Sequence, residues 1–570
     1  MTLLRKGWQT GVWLGVVAIG VGLRVTQYAA NRSLWVDEAM LALNIAARPA
    51  TELLRPLDYA QSAPPLFLFG ERGVVRLAGV NELTLRALPF IAGIALFLVL
   101  WPLARRIIGP TAALFAIAIA ALSPLLTYYA NEVKPYGIDA LVTVMLVSGA
   151  VRVFDAPDEA VPWRALAAAG TVAVWASSPA VFVLAGVAGA LIASSRVRRT
   201  ERFLRRTSGT LLLWGASFGT VFITTLRHSS DDPYLNWFFE GTFLTPTAPR
   251  FLLSLQIALG SALNEAFFSR DLFDATMPSA LYAFLALALG LCLIGLIAIW
   301  RRCGAPTVIV LAGPMAVAFA ASAVRLYPSS PPRFMGFAVP LLAIMVAAGT
   351  AVLMGRIPLH ARSVGSVLFA VLFLTPSAYR AGRVLRDPYA TDDNARAVIR
   401  AFEQSPRARE AVYITSNGVP RWLFYTTDWN MPDTARLAFY GRVSRSPDGP
   451  AKQNRPRRGR PVSREGFELT IPYRGRREIV GLFSGVAVRP VFKDRTTNPD
   501  DGWAANEAER IRTAAEPCAT VMALGISPPE IEALHAALGQ LGGQSALVRS
   551  AAPTHQAYVC FAKGDGARRQ

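Results

Sequence analysis

The sequence predicts a polytopic α-helical membrane protein, with about eleven transmembrane helices and a soluble α/β domain at its C-terminal end. Two observations predict the membrane part. The chain is 53% hydrophobic with a mean hydropathy of +0.36, and apolar stretches recur through its first two thirds, each with the roughly 18 to 25 residues that a helix needs to cross a bilayer core. A third observation, the polar composition after residue 380, predicts a membrane domain over 1–380 and a separate domain over 381–570.

The predicted membrane helices follow the apolar stretches in order. These stretches are 9–30, 84–104, 110–128, 136–153, 165–194, 208–226, 279–299, 305–323, 334–354 and 364–380. The stretch 165–194 is about 30 residues long and is interrupted by "WASSP". Pro179 and the two serines therefore predict two shorter helices joined by a hairpin, which brings the number of spans to eleven. The first apolar run lacks the features of a cleaved signal peptide, so we expect an uncleaved span.

The short loops that are rich in arginine predict the orientation. They all fall on one side of the membrane, which the positive-inside rule makes the cytoplasmic side. They contain Arg5/Lys6, Arg105/Arg106, Arg152/Arg164, 196–206, Arg301/Arg302 and Arg356/Arg362. This placement accounts for much of the net charge of +20 without nucleic-acid binding, and with eleven spans it puts 381–570 outside the cytoplasm.

The unusual polar groups fall on the opposite, outer side. Asp37 and Glu38 follow the first span, and three further loops, at 128–137, 227–241 and 325–337, combine carboxylates or arginines with prolines and aromatic residues. Polar groups at membrane depth are costly, so by default they mark a functional site. We expect these four loops to converge on one face of the protein.

The C-terminal part alternates predicted helices with predicted strands, which is typical of a small α/β domain. For example, "DDNARAVIRAFEQSP" precedes "EAVYITS", and "AERIRTAAEP" precedes "ATVMALGI". The polar, proline-rich and basic stretch 444–466 is expected to be a mobile loop. Cys518 and Cys560 lie on or beside predicted strands of this outer domain, so we expect a disulfide between them, the alternative being two buried free thiols. Cys292 and Cys303 should stay reduced.

The outer location of the polar groups restricts the chemistry. A group-transfer enzyme outside the cytoplasm needs an activated donor that arrives in the lipid, and a sugar linked to polyprenyl phosphate meets this need. The reaction requires a carboxylate to take the proton from an acceptor hydroxyl and positive charge around the departing phosphate. Asp37 or Glu38 could be the base, and Arg333 or Lys134 could bind the phosphate.

A series of motifs resembles the membrane glycosyltransferases of the GT-C fold. In chain order they are "SLWVDEA", "SAPPLFLF" (62–69), "RALPFIAGIALFLVLWPLARRIIGP" (86–110), "LSPLLTYYANEVKPYGIDAL" (122–141) and "PPRFMGFAVPLL" (331–342). Over about 1–380 the chain looks like the bacterial branch that is similar to dolichyl-phosphate-mannose protein mannosyltransferases and to the aminoarabinose transferase of lipid A. The resemblance implies a hexosyl- or pentosyltransferase with a polyprenyl-phosphate sugar as donor and a glycan, lipid or protein as acceptor.

The resemblance also implies roles for single residues. It places the catalytic base on Asp37, with Glu38 as its neighbour, and the acid of the second outer loop on Glu132. Lys134 and Tyr136 fall on the family's "E-x-R-P-Y" motif and are taken as substrate-binding residues. The chain departs from the family at Lys134, because a lysine is a point charge and cannot grip a phosphate with the fork of an arginine.

Arg333 takes the family's "R-Y/F" position at the start of a late span, and Asp231 and Asp232 of the third outer loop are further substrate-binding candidates. Each has a structural alternative. Arg333 and Arg325 could be interfacial anchors, and Asp231 and Asp232, which precede the aromatic "PYLNWFF", could form a turn at the membrane surface. Arg24, near the outer end of the first span, is expected to snorkel to the interface.

The candidate carboxylates have structural alternatives as well. Asp37 and Glu38 could cap the helix predicted over "EAMLALNIA", and Glu132 could simply pair with Lys134. Asp139 is expected about one turn inside the next span, where it could support the site or bond to a neighbour.

Two other functional classes fit a polytopic chain. A transporter or lipid flippase should show two similar halves with broken helices, whereas this chain shows no second half that resembles the first. A non-catalytic polyprenyl-phosphate-binding protein is disfavoured by the intact Asp37, Glu132 and basic residues. No cofactor is certain, although the carboxylates could hold a divalent cation. The expected location is the inner membrane, with the active site and the C-terminal domain extracytoplasmic.

Overall fold

The computed structural model describes residues 2–227, 278–330, 332–386 and 394–406, together with parts of 239–267 and of 411–561. The chain divides into two compact units. The first contains Met1–Asn31, Ala63–Arg227 and Thr242–Tyr389, and the second contains Arg32–Ser62, His228–Gly241 and Ala390–Gln570. The short segment Arg32–Ser62, which follows the first helix, thus belongs to the same unit as the C-terminal part of the chain.

The first unit is helical. Its helices are α1 (Thr2–Ala29), α3 (Pro65–Ala78), α4 (Glu82–Leu85), α5 (Ala87–Ile108), α6 (Pro110–Leu122), α7 (Pro124–Tyr129), α8 (Tyr136–Asp155), α9 (Ala160–Ala176), α10 (Ala180–Arg198), α11 (Glu201–Val221), α12 (Pro278–Cys303), α13 (Ala305–Ala323), α14 (Val339–Gly355) and α15 (Leu359–Arg386). One π-helical turn, Phe222–Leu226, continues α11. The label α2 belongs to a helix of the second unit, Val36–Ala47.

Nine of the described helices are long and apolar enough to cross a membrane, by length and composition. The other two predicted spans correspond to shorter helices, α6 and α9. The predicted hairpin is confirmed, because α9 ends at Ala176 and α10 begins at Ala180. The predicted fold class is therefore confirmed as a polytopic helical membrane protein.

The prediction of one helix over 110–128 is wrong, because the chain breaks at Ser123. Pro124 has no N–H and cannot bond to the carbonyl of Ala120 four residues earlier, so α6 ends at Leu122. The Ser123 hydroxyl accepts a hydrogen bond from the Leu126 N–H at 3.4 Å and caps the short helix α7.

Arg24 does not snorkel, which corrects the expectation from the sequence. It is fully buried in the first unit, with its guanidinium 4.7 Å from the centre of the Phe97 ring. It donates hydrogen bonds to the carbonyls of Gly20 at 2.9 Å and of Ala120 at 3.3 Å. The second carbonyl is the one that Pro124 leaves without a helical donor. The charge stays inside because it satisfies backbone that the helix break exposes.

Close approach between helices relies on small residues. A Cβ built on Gly295 in α12 would overlap the carbonyl oxygen of Met345 in α14, and a Cβ on Gly349 would overlap that of Leu291. The two helices therefore pack with their backbones in contact, which is typical of small-residue interfaces in membranes.

The second unit contains an α/β sheet, as predicted. Its further elements are α16 (Ala395–Glu403), β1 (Ala411–Ile414), α17 (Val419–Thr426), β2 (Thr470–Tyr473), β3 (Arg476–Val480), α18 (Asp501–Ala514), β4 (Cys518–Met522), α19 (Pro528–Gln540), β5 (Gly543–Val548) and β6 (Gln556–Phe561). The strand order is β2-β3-β1-β4-β6-β5, with β1 parallel to β3 and β4 and the other pairs antiparallel. The stretch 444–466 lies outside the described residues.

The predicted disulfide of this unit is confirmed. Cys518 is disulfide-bonded, and the β4–β6 register places Cys560 directly opposite it. The remaining two of the four cysteines, Cys292 and Cys303, are free thiols.

The segment Arg32–Ser62 is held within the second unit by hydrogen bonds. The Leu34 N–H donates to the Tyr425 hydroxyl at 2.7 Å, and the Ser33 hydroxyl donates to the Asn394 side-chain oxygen at 2.6 Å. Tyr425 lies on α17, against which α2 packs. The helix that carries Asp37 and Glu38 is thus attached to the C-terminal part of the chain.

Candidate active site

The loop between α7 and α8 carries the first group of candidate residues. Residues 130–135 are all buried, although they include charged and polar side chains. The Asn131 N–H donates to the Tyr128 carbonyl at 2.9 Å and the Lys134 N–H to the Glu132 carbonyl at 2.7 Å, which folds the loop tightly. The Asn131 amide also donates to the Gln27 side chain at 3.1 Å and so ties the loop to α1.

Gly137 allows the same loop to lie against the start of α8. A Cβ built there would lie 2.9 Å from the Pro89 carbonyl oxygen and 3.4 Å from that of Tyr129. A Cβ essentially never comes as close as 2.9 Å to a backbone oxygen, so a glycine is required here for the approach of α5 to α8.

The Tyr129 phenol is the centre of the first group. Burial raises its pKa well above the usual value, the Glu132 carboxylate raises it further, and the Arg333 guanidinium acts in the opposite direction. The Tyr136 ring stands nearly perpendicular to the Tyr129 ring, with their centres 4.8 Å apart. We call Tyr129, Glu132, Tyr136 and Arg333 the outer-loop cluster. Three of its four members were predicted from the sequence.

Arg333 reaches the cluster from a different part of the chain. It lies in the 3₁₀ segment Pro332–Ala338 that leads into α14, is half-buried, and holds its guanidinium 5.4 Å from the centre of the Phe334 ring. Arg325, by contrast, is exposed and has a left-handed backbone with φ of 62°. The structure therefore distinguishes two arginines that the sequence treated as equivalent anchors. Lys134 is buried in the same loop as Glu132, at 8% exposure.

Tyr327 and Asp139 extend the polar region. The Tyr327 hydroxyl donates to the Phe334 carbonyl at 2.8 Å, and its pKa is raised by burial and then by the charge of Asp139 and by Tyr136. Asp139 lies in the first turn of α8 and is buried, as expected. Tyr129 and Tyr327 were not among the predicted site residues. Their signal was present, since each is an aromatic residue inside one of the polar outer loops.

Asp37 and Glu38 lie in the first turn of α2, in the second unit. Glu38 is fully buried, accepts a hydrogen bond from the Trp35 N–H at 3.2 Å and lies 3.8 Å from the Arg32 guanidinium. Since Trp35 is the N-cap and Glu38 is at position N3, this bond is the glutamate half of a capping box. Asp37 is half-buried. Glu38 therefore caps the start of α2, as the structural alternative for this residue expects.

Asp231 and Asp232 lie outside the described residues. In the part of the chain that is described, no group of three or more His, Cys, Asp or Glu side chains is close enough together to hold a metal ion.

The fold and the outer-loop cluster define a polytopic membrane protein with a buried, charged site in a loop between membrane helices. Residues 62–218 match the family model for dolichyl-phosphate-mannose-protein mannosyltransferase. The match covers the loop with Glu132, Lys134 and Tyr136, and it confirms the resemblance to mannosyltransferase-like proteins of the GT-C fold. A search of curated proteins finds no match.

Solved structures of low identity also match. ArnT from Cupriavidus metallidurans in the apo state is 14% identical, with a TM-score of 0.46 and 98% of each chain covered. The same protein bound to undecaprenyl phosphate is 16% identical, with a TM-score of 0.44 and 98% of this chain and 99% of that chain covered. The archaeal oligosaccharyltransferase AglB from Archaeoglobus fulgidus, with an inhibitory peptide and a dolichol-phosphate, is 14% identical, with a TM-score of 0.46, and the match covers 74% of this chain and 63% of that chain. Values this low assign no role to any residue of this chain.

Proposed function

We propose that this protein is a glycosyltransferase of the inner membrane that moves a sugar from a polyprenyl-phosphate donor to an acceptor hydroxyl at the extracytoplasmic face. One observation carries the proposal. Glu132 and Arg333, which are far apart in sequence, both act on the buried Tyr129 phenol. A carboxylate, a guanidinium and a phenol in one desolvated loop cluster can bind a phosphate and the sugar attached to it.

Arg333 and Lys134 are the proposed phosphate ligands. Charge-assisted hydrogen bonds are strong where water is excluded, and the buried loop around Lys134 provides such surroundings. The Tyr129 phenol stays protonated because its pKa is raised, so it can donate a further hydrogen bond to the phosphate. Glu132 is proposed to accept hydrogen bonds from the sugar hydroxyls.

Asp37 is the proposed general base, an assignment that rests on the sequence resemblance. Glu38 is engaged by Arg32 and by the Trp35 N–H, so its role is to hold the first turn of α2 in place. In the reaction the acceptor oxygen bonds to the anomeric carbon and its proton passes to the Asp37 carboxylate. The bond from the anomeric carbon to the phosphate oxygen breaks, and polyprenyl phosphate leaves with the electron pair, so the anomeric configuration inverts.

The orientation is part of the proposal. The Cys518–Cys560 disulfide supports an extracytoplasmic C-terminal unit, because structural disulfides persist in oxidising compartments. The arginine-rich short loops support the opposite side as cytoplasmic. The acceptor is a glycan, lipid or protein with a free hydroxyl, and a divalent cation could assist at the carboxylates. Activity measured with and without a chelator tests the cation.

Binding of undecaprenyl phosphate to the purified protein tests the donor site without knowledge of the sugar. Arg333→Ala should weaken binding by about tenfold or more, because a charge-assisted bond in a desolvated site is worth about 1.5–3 kcal/mol. Arg333→Lys should restore only part of the loss. Arg325→Ala is the matched control, and it should bind like the wild type because this arginine is exposed. Equal affinity in all three variants would refute the donor site.

Sugar transfer distinguishes the enzyme from the other two classes. Asp37→Asn should bind undecaprenyl phosphate normally and yet lose transfer. A protein that moves the lipid across a vesicle membrane without transferring sugar would be a flippase. A protein that binds the lipid and neither moves nor converts it would be a binding protein, and either outcome would refute the proposed reaction.

A further inference from the structure

A groove lies between α5 and α8 at the end of these helices that is opposite to the outer-loop cluster. It has a volume of about 170 Å³, and its lining includes Leu98, Pro102, Arg106, Ser148 and Arg152. Pockets that enclose a whole small molecule are larger, roughly 300–1,000 Å³. This groove therefore fits one end of a larger molecule.

The groove presents positive charge. Arg106 forms an ion pair with Asp155 at the end of α8. The exposed Arg152 guanidinium makes no hydrogen bond or ion pair with any residue in the described part of the chain. One of the two arginines is thus compensated by a carboxylate and the other is not, which favours an anionic ligand.

The groove also contains a hydroxyl without a partner. Hydroxyls elsewhere bond to the carbonyl four residues earlier in their own helix, as Thr143 in α8 and Ser194 in α10 do at 2.8 Å each. The Ser148 hydroxyl is shielded from solvent and has no hydrogen-bond partner among the described residues. Pro102 adds an acceptor, because it lacks the N–H that would bond to the Leu98 carbonyl.

The walls next to the groove are apolar and outward-facing. Leu98 on α5 is 64% exposed and Met145 on α8 is 47% exposed. Both helices are long and apolar enough to cross a membrane, so such side chains face acyl chains. A ligand whose polar end enters the groove and whose remainder lies along these side chains is a lipid.

We propose that this groove binds the headgroup of an anionic phospholipid that carries a free hydroxyl, the chemistry of phosphatidylglycerol. The phosphate lies against Arg152, with the Ser148 hydroxyl donating to a phosphate oxygen, and the headgroup hydroxyl donates to the Leu98 carbonyl. The site is in the leaflet on the arginine-rich side. It is separate from the outer-loop cluster, because α8 has 20 residues and its two ends are roughly 30 Å apart at 1.5 Å per residue. The proposal of a lipid site does not depend on the proposed transfer reaction.

Equilibrium binding of short-chain lipids to the delipidated full-length protein in detergent tests the proposal. Dioctanoyl phosphatidylglycerol should bind, and dioctanoyl phosphatidylcholine should bind about tenfold more weakly or not at all. Arg152→Ala should weaken phosphatidylglycerol binding about tenfold, and Ser148→Ala about threefold, as expected for one charge-assisted and one ordinary hydrogen bond. Asp155→Asn should strengthen binding, because it releases Arg106 from its ion pair.

The matched control is Arg164→Ala. Arg164 is exposed and lies near the start of α9, one short turn after α8, but it does not line the groove. Equal losses in Arg152→Ala and Arg164→Ala would overturn the proposal, because the attraction would then be general surface charge. Binding of phosphatidylcholine as tight as that of phosphatidylglycerol would also overturn it. Displacement of phosphatidylglycerol by undecaprenyl phosphate or inorganic phosphate at equal concentration would overturn the proposal as well. The groove would then recognise the donor lipid or a free phosphate.

Discussion

Asp37 and Glu38 are adjacent carboxylates, and we predict that their amide variants have opposite effects. Asp37→Asn should lose turnover and keep stability, whereas Glu38→Gln should lose stability and keep much of its turnover. The reason is their environment, since Glu38 is fully buried and bonded while Asp37 is half-buried.

The stability cost of Glu38→Gln is worked from two of the contacts of Glu38. Glutamine retains an oxygen for the Trp35 N–H at 3.2 Å but loses the charge opposite Arg32, which is itself buried. Removing one partner of a buried ion pair costs about 3–5 kcal/mol. The N–O distance of 3.8 Å is long for such a pair, so we expect a loss at or just below the low end of this range, about 2–3 kcal/mol. For a unit of this size that lowers Tm by about 5–10 °C.

Asp37→Asn removes a charge from the first turn of α2, an interaction worth about 0.3–1 kcal/mol. Tm should therefore fall by no more than about 4 °C. Turnover should fall by about 10² to 10⁴, the usual contribution of a positioned base. Donor binding should be unchanged in both variants.

Thermal unfolding, donor binding and sugar transfer measured on the same preparations check this prediction. The reasoning is refuted if Asp37→Asn transfers sugar at the wild-type rate, or if it unfolds at a lower temperature than Glu38→Gln. If Glu38→Gln is as stable as the wild type but inactive, the base has been assigned to the wrong carboxylate.

Three further predictions concern stability. The buried Glu71 carboxyl has no hydrogen-bond partner in the described chain, and burial raises its pKa from 4.5 to about 9. The folded state thus holds a proton that the unfolded chain releases, so the free energy of unfolding should fall as the pH rises from about 5 to 9. Glu71→Gln should remove this pH dependence and stabilise the protein by about 3 kcal/mol at pH 7. If Glu71→Gln leaves the pH profile of Tm unchanged, the prediction is contradicted. Cys518→Ser should destabilise the second unit by about 4 kcal/mol in the chain-entropy model, and non-reducing peptide mapping that finds alkylatable thiols at Cys518 and Cys560 would disprove the bond. Gly295→Ala should lower Tm because the added methyl group overlaps the facing backbone, an overpacking cost of about 1–3 kcal/mol. Gly290→Ala on the same helix is the control. Its methyl group meets nothing within 4 Å, so this variant should be neutral or slightly stabilising.

The sequence alone determined the membrane helices, apart from the break at Ser123, together with the hairpin and the α/β character of the C-terminal part. Helices in lipid satisfy their own backbone hydrogen bonds, so apolar length suffices to locate them. The break at "WASSP" could be predicted for the same reason, because a proline and two serines interrupt the apolar run of the helix. The Cys518–Cys560 pair could also be predicted, since Cys518 directly precedes one predicted strand of the small domain and Cys560 lies within another.

Only the tertiary structure decided which polar groups meet. Arg24 and Ser148 are both polar residues in apolar helices, and the sequence does not tell which one is satisfied. Arg24 fills the place of the missing Pro124 N–H beside the Ala120 carbonyl, while Ser148 keeps an unused hydroxyl. Likewise, the gathering of Arg333 and Glu132 around Tyr129 depends on the packing of segments that are distant in the chain. Such encounters carry no local periodicity, because they are set by how whole helices pack.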